Sequence, residues 1–301
     1  MKTDSVLILG TGALATLFAA RFSAAGIPVT ILGTWQEGLA ALSQNGAQLD
    51  GTGIFPVQTR ENPLDCRGAK FALVLVKSWQ TERTAHQLSQ CLAEDGVALS
   101  LQNGLGNDAV LAKTLGMPRV ARGVTTLGAS LLAPGIVRLA GDGPVSLEAH
   151  PRLAPLQEML LQAGFDVNVT SNVQSLVWSK LVVSTAINPL TALLRVKNGE
   201  LLEHPSSRGL MGALACETSS VAAIHGVALL FPDPVRAVEE VARTTAENQS
   251  SMLQDVLRGS PTEIDAINGA VVRLAEEGGL QVPVNQVILS LLKAFPVRGK
   301  I

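Results

Sequence analysis

Three polar residues recur every four positions in an otherwise apolar stretch: Lys180, Ser184 and Asn188, within Val173–Leu194. Residues four apart on an α-helix lie one above another, so the three would form one narrow polar row. Val173, Leu176, Val177, Leu181, Val182, Val183, Ile187 and Leu190 make the rest of the helix apolar. A helix apolar over most of its circumference belongs in a core. A lysine held there is costly unless it has a partner or a task. Desolvation would lower its pKa and make it a proton donor near neutral pH. Alternatively, Lys180 marks a thin strip facing solvent, and spacing does not choose between the two. Pro189, beside Asn188, predicts a bend that leaves nearby backbone groups free.

A second polar region runs from Asn248 to Asp255 (NQSSMLQD) and could be a solvated helix face or the lining of a cleft. Just beyond it, Ser260-Pro261-Thr262-Glu263 has the form of a capping box with proline at the first helical position. Spacing therefore gives Glu263 a structural task, reaching back to the Ser260 backbone.

Near the other end, Gly10-Thr11-Gly12-Ala13-Leu14-Ala15 fits G-x-G-x-x-G/A and lies between an apolar run and a helical pattern. The first glycine permits a tight turn. The second lets a pyrophosphate approach the backbone, and the small third residue lets helix and strand pack closely. The helix start offers N–H groups and a positive dipole to phosphates. Gly10, Thr11, Gly12, Ala13 and Leu14 are thus candidate dinucleotide contacts. The ribose-binding acid expected about 20 residues on is absent. Gly33-Thr34-Trp35 stands there, with no arginine for a 2′-phosphate, so NAD and NADP both remain open.

These residues need a scaffold, and the chain supplies one. Strand patterns at Ser5–Leu9, Val29–Leu32, Phe71–Val76 and Val97–Leu101 alternate with helical patterns at Leu14–Ala25, Gln80–Leu92 and Asp108–Leu115. Alternation of this kind predicts a parallel sheet covered on both faces. Lys77 and Asn103 each follow a strand, at the edge where open α/β sheets bind ligands. A solvated strand end and a turn residue before glycine are the plainer readings of the two.

From Val120 to about Val169, short strands (Ile136–Leu139, Val145–Glu148, Val167–Val169) and one helix (Arg152–Ala163) read as an extension closing this domain. Beyond Ser171 the patterns are helical: Val173–Leu194, Ser207–His225, Asp233–Leu257, Thr262–Glu277 and Val284–Ala294. The expected architecture is an α/β Rossmann-type dinucleotide-binding domain at 1–170 plus an all-α domain at 171–301.

Composition narrows the function classes. The 301 residues are 47% hydrophobic and 16% charged, enough for two cores and against disorder. Lys+Arg total 23 against Asp+Glu 25, so no basic excess exists to neutralise nucleic acid. Cys66, Cys91 and Cys216 are widely spaced with no metal-ligand pattern, and read as buried small hydrophobes in a reducing, cytoplasmic setting. Lys2 and the apolar stretch Val6–Ala20 superficially resemble a signal peptide. Asp4 and the spaced Gly10 and Gly12 argue against it. No transmembrane helix is expected.

Taken in order and spacing, GTGALA, KSWQ at Lys77, QNGLG at Asn103, WSKLVVSTAINPLTAL from Trp178 and NQSSMLQDVLRGSPTEIDAINGAVV from Asn248 resemble the ketopantoate reductase family along essentially the whole chain. The resemblance implies NADPH-dependent reduction of 2-dehydropantoate to (R)-pantoate, in pantothenate biosynthesis. It implies Lys180 as the general acid on the ketone, with Glu263 beside it. It implies Ser251, Asn188 and Asn103 at the substrate, Ser184 where an asparagine is usual, and Lys77 and Asn103 near the nicotinamide. It places the substrate between the domains, the helical one being a substrate and dimerisation domain. A homodimer is plausible on the apolar composition. Two departures stand out: the arginine after the second strand is missing, and Ser184 replaces asparagine. They motivate two competitors, a reductase of another 2-oxo acid and a non-catalytic dinucleotide sensor.

Overall fold

The computed structural model describes residues 5–294, so Lys2 and Asp4 lie outside the described residues. Two compact units are present. One joins the chain up to Gln102 with Asn107–Val173, and the other joins Asn103–Gly106 with the chain from Gln174 onward.

The first unit is built on β1 (Val6–Leu9), α1 (Ala13–Ala24), β2 (Val29–Leu32), α2 (Gln36–Asn45), β3 (Ala47–Leu49), β4 (Gly53–Phe55), β5 (Gln58–Arg60), β6 (Ala69–Val74), α3 (Thr81–Cys91), β7 (Leu92–Ser100), α4 (Asn107–Leu115), β8 (Val120–Thr125), β9 (Gly128–Ala133), β10 (Ile136–Gly141), β11 (Val145–Glu148), α5 (Ala154–Gln162) and β12 (Val167–Thr170). Eight strands form one sheet in the order β12-β11-β8-β7-β6-β1-β2-β5. From β5 to β8 the neighbours are parallel, and β11 pairs antiparallel to β8.

Strand side chains alternate between faces, and both faces are apolar. Val6 and Ile8 join one core with Phe18 and Phe22 of α1, while Leu7 and Leu9 join the other with Leu88 of α3 and Leu111 of α4. This two-sided burial is why the strands read as unbroken apolar runs. The order reverses at β1: β2 lies on one side of it and β6 on the other, which makes the C-terminal ends of β1 and β6 the switch point of the sheet.

The sequence reading missed α2, the main-sheet strands β5 and β8, and a second sheet, β4-β3-β10-β9, of which it read only β10 as a strand. Val120–Val169 is therefore not one extension. Strands β8, β11 and β12 lengthen the main sheet, while β10 pairs with β3 on one side and β9 on the other, and α1 packs against both sheets. The short strands β3 and β4 carry too little apolar pattern to be seen alone.

The second unit contains α6 (Val173–Leu194), α7 (Pro205–Ile224), α8 (Pro234–Thr244), α9 (Ser251–Leu257), α10 (Asn268–Glu277) and α11 (Pro283–Ala294). Helix α6 is its core helix. Trp178, Leu181 and Ala192 enter one apolar cluster, and Val182, Ala186, Ile187 and Leu190 enter another. Among the described residues it is the one helix long and apolar enough to suit a membrane, and most of it is buried in the protein.

Two helix predictions need correction. Asp233–Leu257 is two helices, because Ser250 accepts from the Leu253 N–H (3.0 Å) and starts α9 afresh. Thr262–Glu277 begins only at Asn268. Gly259, at φ 65°, ends α9, and the Ser260 N–H turns back to the Asp255 carbonyl (2.9 Å). Ser260 is therefore not a helix cap. A third correction concerns Cys216: Cys66 and Cys91 are buried, but Cys216 is exposed on α7.

Candidate active site

In the first unit the glycine-rich turn follows β1 as the pattern requires. Gly10 has φ 124°, and a Cβ there would lie 3.1 Å from the Leu75 carbonyl oxygen, so the turn tolerates glycine alone. Gly12 is different. Its φ is ordinary at −82° and a Cβ would meet nothing within 4 Å. Its exposed surface at the start of α1 is open. No side chain caps α1 and its first turn holds no acid, so its N-terminal dipole is not neutralised locally. Thr11 is buried, and Ala13 and Leu14 are half-buried at the helix start.

Beyond β2, a Cβ on Gly33 would stand 2.7 Å from the Thr11 methyl, which explains a glycine there. The Gly33 N–H donates to the Arg60 carbonyl (3.2 Å). Lys77, half-buried, follows β6 and precedes a short 3₁₀ turn, Ser78–Gln80. Gln102, which sequence reasoning did not single out, holds this corner. Its Nε2 donates to the Val76 carbonyl (3.0 Å) and to Thr81 Oγ1 (2.8 Å), and Ser100 Oγ donates to its Oε1 (3.0 Å). The loop carrying Lys77 is thus tied to the end of β7.

In the second unit three groups come together. Asn103 follows β7 in sequence, but its segment packs with the helices: the Leu105 N–H donates to the Ala266 carbonyl (2.9 Å). Gly104, at φ 83°, sits so close that a Cβ would drive into that same carbonyl. Asn103 Nδ2 then reaches Glu263 Oε2 at 3.4 Å. Glu263 is only 5% exposed. It lies in the turn before α10, where its carbonyl accepts from the Ala266 and Ile267 N–H groups (both 3.1 Å). Its carboxylate points to Asn103, not to a capping position at Ser260, because the backbone turns at Gly259.

Lys180, half-buried on α6, is the third member. Burial pushes its pKa down to about 8, and the attraction of the Glu263 carboxylate opposes that fall. Ser184 (8% exposed) and half-buried Asn188 continue the same row. Ser251 opens α9, and the preceding Ser250 hydroxyl lies 2.7 Å from Thr191 Oγ1, seating the start of α9 against α6. Helix α6 runs through Pro189 without interruption, and the Thr185 carbonyl that the proline deprives of a partner is not free, since Asn268 Nδ2 donates to it (3.2 Å).

Comparison with known proteins agrees with this architecture. The family description Ketopantoate reductase PanE/ApbA matches residues 6–152, and Ketopantoate reductase PanE/ApbA C terminal matches residues 172–295. A 2-dehydropantoate 2-reductase of Archaeoglobus fulgidus is 38% identical, over 97% of this chain and 98% of its own. One of Halobacterium salinarum is 34% identical, over 96% and 97%. Among solved structures, a PanE/ApbA family ketopantoate reductase from Ralstonia eutropha JMP134 shares 30% identity and a TM-score of 0.89, covering 96% of this chain and 97% of its own. D-mandelate dehydrogenase, solved with NADH and anilino(oxo)acetate, reaches a TM-score of 0.90 over 96% of this chain and 97% of its own. At 24% identity that likeness concerns the fold alone. With both family regions present in order and relatives at this identity over nearly the full length, the chain belongs to the ketopantoate reductase family and is an oxidoreductase of that family.

Proposed function

We propose that this protein reduces 2-dehydropantoate to (R)-pantoate with NADPH as the hydride donor. The observation that carries the reading is the grouping of Lys180, Glu263 and Asn103, with a lysine poised to give up a proton near neutral pH. The relatives' shared activity supports the substrate.

The residues present suit a dinucleotide. Gly12 leaves its Cβ position open beside an uncapped helix start, and Gly10 makes the turn that aims it. Gly10, Thr11, Gly12, Ala13 and Leu14 would hold the pyrophosphate, and Lys77 and Asn103 would lie toward the nicotinamide. When bound, the reduced nicotinamide supplies a hydride to C2 of the oxo acid. Negative charge then builds on the C2 oxygen. The Lys180 ammonium stabilises it and donates its proton there, forming the hydroxyl and leaving a neutral amine that solvent reprotonates. Glu263 keeps Lys180 charged and in place. Ser184, Asn188, Ser251 and Asn103 orient the substrate through hydrogen bonds.

In this reading residues 1–170 bind the nucleotide, and 171–301 bind substrate and support a homodimer, in the cytoplasm. Small molecules are the partners, without nucleic acid or membrane.

A second reading, reduction of a different 2-oxo acid, is favoured by one observation: buried Ser184 offers a shorter side chain than asparagine. Relative kcat/KM over a panel of 2-oxo acids tests both. A preference for 2-dehydropantoate supports the first reading. A preference for another acid, restored toward 2-dehydropantoate by Ser184→Asn, supports the second.

A further inference from the structure

A proline inside a helix removes the N–H that would bond the carbonyl four residues earlier, and its ring crowds that carbonyl. In α6 the pair is Pro189 and Thr185. Thr185 is fully buried, at 0% exposed. The Asn268 side chain supplies the missing donor, Nδ2 to the Thr185 carbonyl at 3.2 Å. Its second amide proton is directed to Asn285 Oδ1 (3.0 Å). Asn285 Nδ2 donates in turn to Glu217 Oε2 (2.8 Å), and Glu217 also accepts from the Val284 and Asn285 N–H groups at the start of α11. Asn268 and Asn285 are both fully buried. The Asn268 Oδ1 has no hydrogen-bond partner among the described residues. An amide kept at that cost is kept for what it donates. The bond it replaces spans Thr185 to Pro189, the turn with Ser184 just before it and Asn188 within it.

We propose that Asn268 is a positioning residue whose amide stands in for the N–H that Pro189 lacks, so fixing the turn of α6 that sets Ser184 and Asn188 for the 2-oxo acid. Glu217 and Asn285 hold that amide in orientation. The substrate half of this proposal rests on the function proposed above; the bond substitution does not.

The test compares four proteins: the unaltered chain, Pro189→Ala, Asn268→Ala and the double variant. Thermal unfolding is read for all four, with kcat, KM for the 2-oxo acid and nucleotide Kd. Pro189→Ala restores an N–H that can take the Thr185 carbonyl. Asn268→Ala should therefore lower Tm by less than half as much on the alanine-189 background as on the native one. Asn268→Ala should also raise KM about tenfold, with nucleotide Kd unchanged and kcat little altered, and the double variant should recover part of that KM. If Asn268→Ala does not fold, folding of the double variant is the same rescue. Equal Tm losses on both backgrounds, failure of both variants to fold, or an unchanged KM with normal turnover would overturn the proposal. Were no 2-oxo acid reduced at all, the unfolding comparison would still decide the bond substitution, so the two readings fail separately.

Discussion

At the scale of single residues, the account turns on a lysine whose proton is loosened by burial. Lys180→Ala should lower kcat by about 10²–10⁴-fold, the range typical of a lost general acid, while nucleotide Kd stays constant; near-native turnover would remove Lys180 from the chemistry. The pH dependence has a definite sign. Lys180 must be protonated to act, and its pKa lies at about 8, so reduction should fall as pH rises through that value. Oxidation of the hydroxy acid needs the neutral amine and should rise over the same interval. Glu263 pulls that pKa upward, so Glu263→Gln should move the alkaline limb of the reductive profile to lower pH. A limb that stays in place in Glu263→Gln would assign it to another group. The sequence singled out Lys180 as a lone lysine in an apolar helix but left a thin solvent-facing strip equally open, and its catalytic part came only from the family resemblance. Glu263 was not legible from spacing, which matched a capping box equally well, and only the turn at Gly259 sends its carboxylate to Asn103.

At the scale of elements, the glycine-rich turn separates folding from binding. Gly12→Ala places a methyl in open space with an ordinary φ, so stability should change by less than about 0.5 kcal/mol, while nucleotide binding weakens tenfold or more, since the pyrophosphate needs that approach (on the order of 1.4 kcal/mol). Gly10→Ala should instead destabilise the fold by about 1–3 kcal/mol, because φ is 124° and the Leu75 carbonyl is close. Equilibrium unfolding and nucleotide fluorescence on the two variants separate these effects. The same contrast explains what sequence alone could reach. Helix α6 was read to its ends, and β1, β2 and β6 nearly so, because their apolar patterns are long and continuous, whereas β5 and β8, with polar residues within them, were not read as strands. The start of α10 was misplaced because Ser-Pro-Thr-Glu is a legitimate start signal overridden by tertiary bonds. The placement of Asn103 with the helices depends on Gly104 meeting the Ala266 carbonyl, a contact between residues 162 positions apart that no local pattern encodes.

At the scale of the whole molecule, both matched family regions and the relatives, with a mostly parallel sheet covered on both faces and an all-helical unit, mark an oxidoreductase of the ketopantoate reductase family, but the sheet edge does not define its cofactor. Gly33 has no room for a side chain beside Thr11, and exposed Thr34 follows it, so the positions after β2 offer no cation to a 2′-phosphate. The central claim is reduction of 2-dehydropantoate, and its most direct test is to follow nicotinamide absorbance with purified protein, 2-dehydropantoate, and NADPH or NADH in parallel. The account predicts substrate-dependent oxidation that yields (R)-pantoate, and the cofactor with the higher kcat/KM answers the question that the positions after β2 leave open. Nucleotide binding without oxidation of either cofactor by 2-dehydropantoate would contradict it.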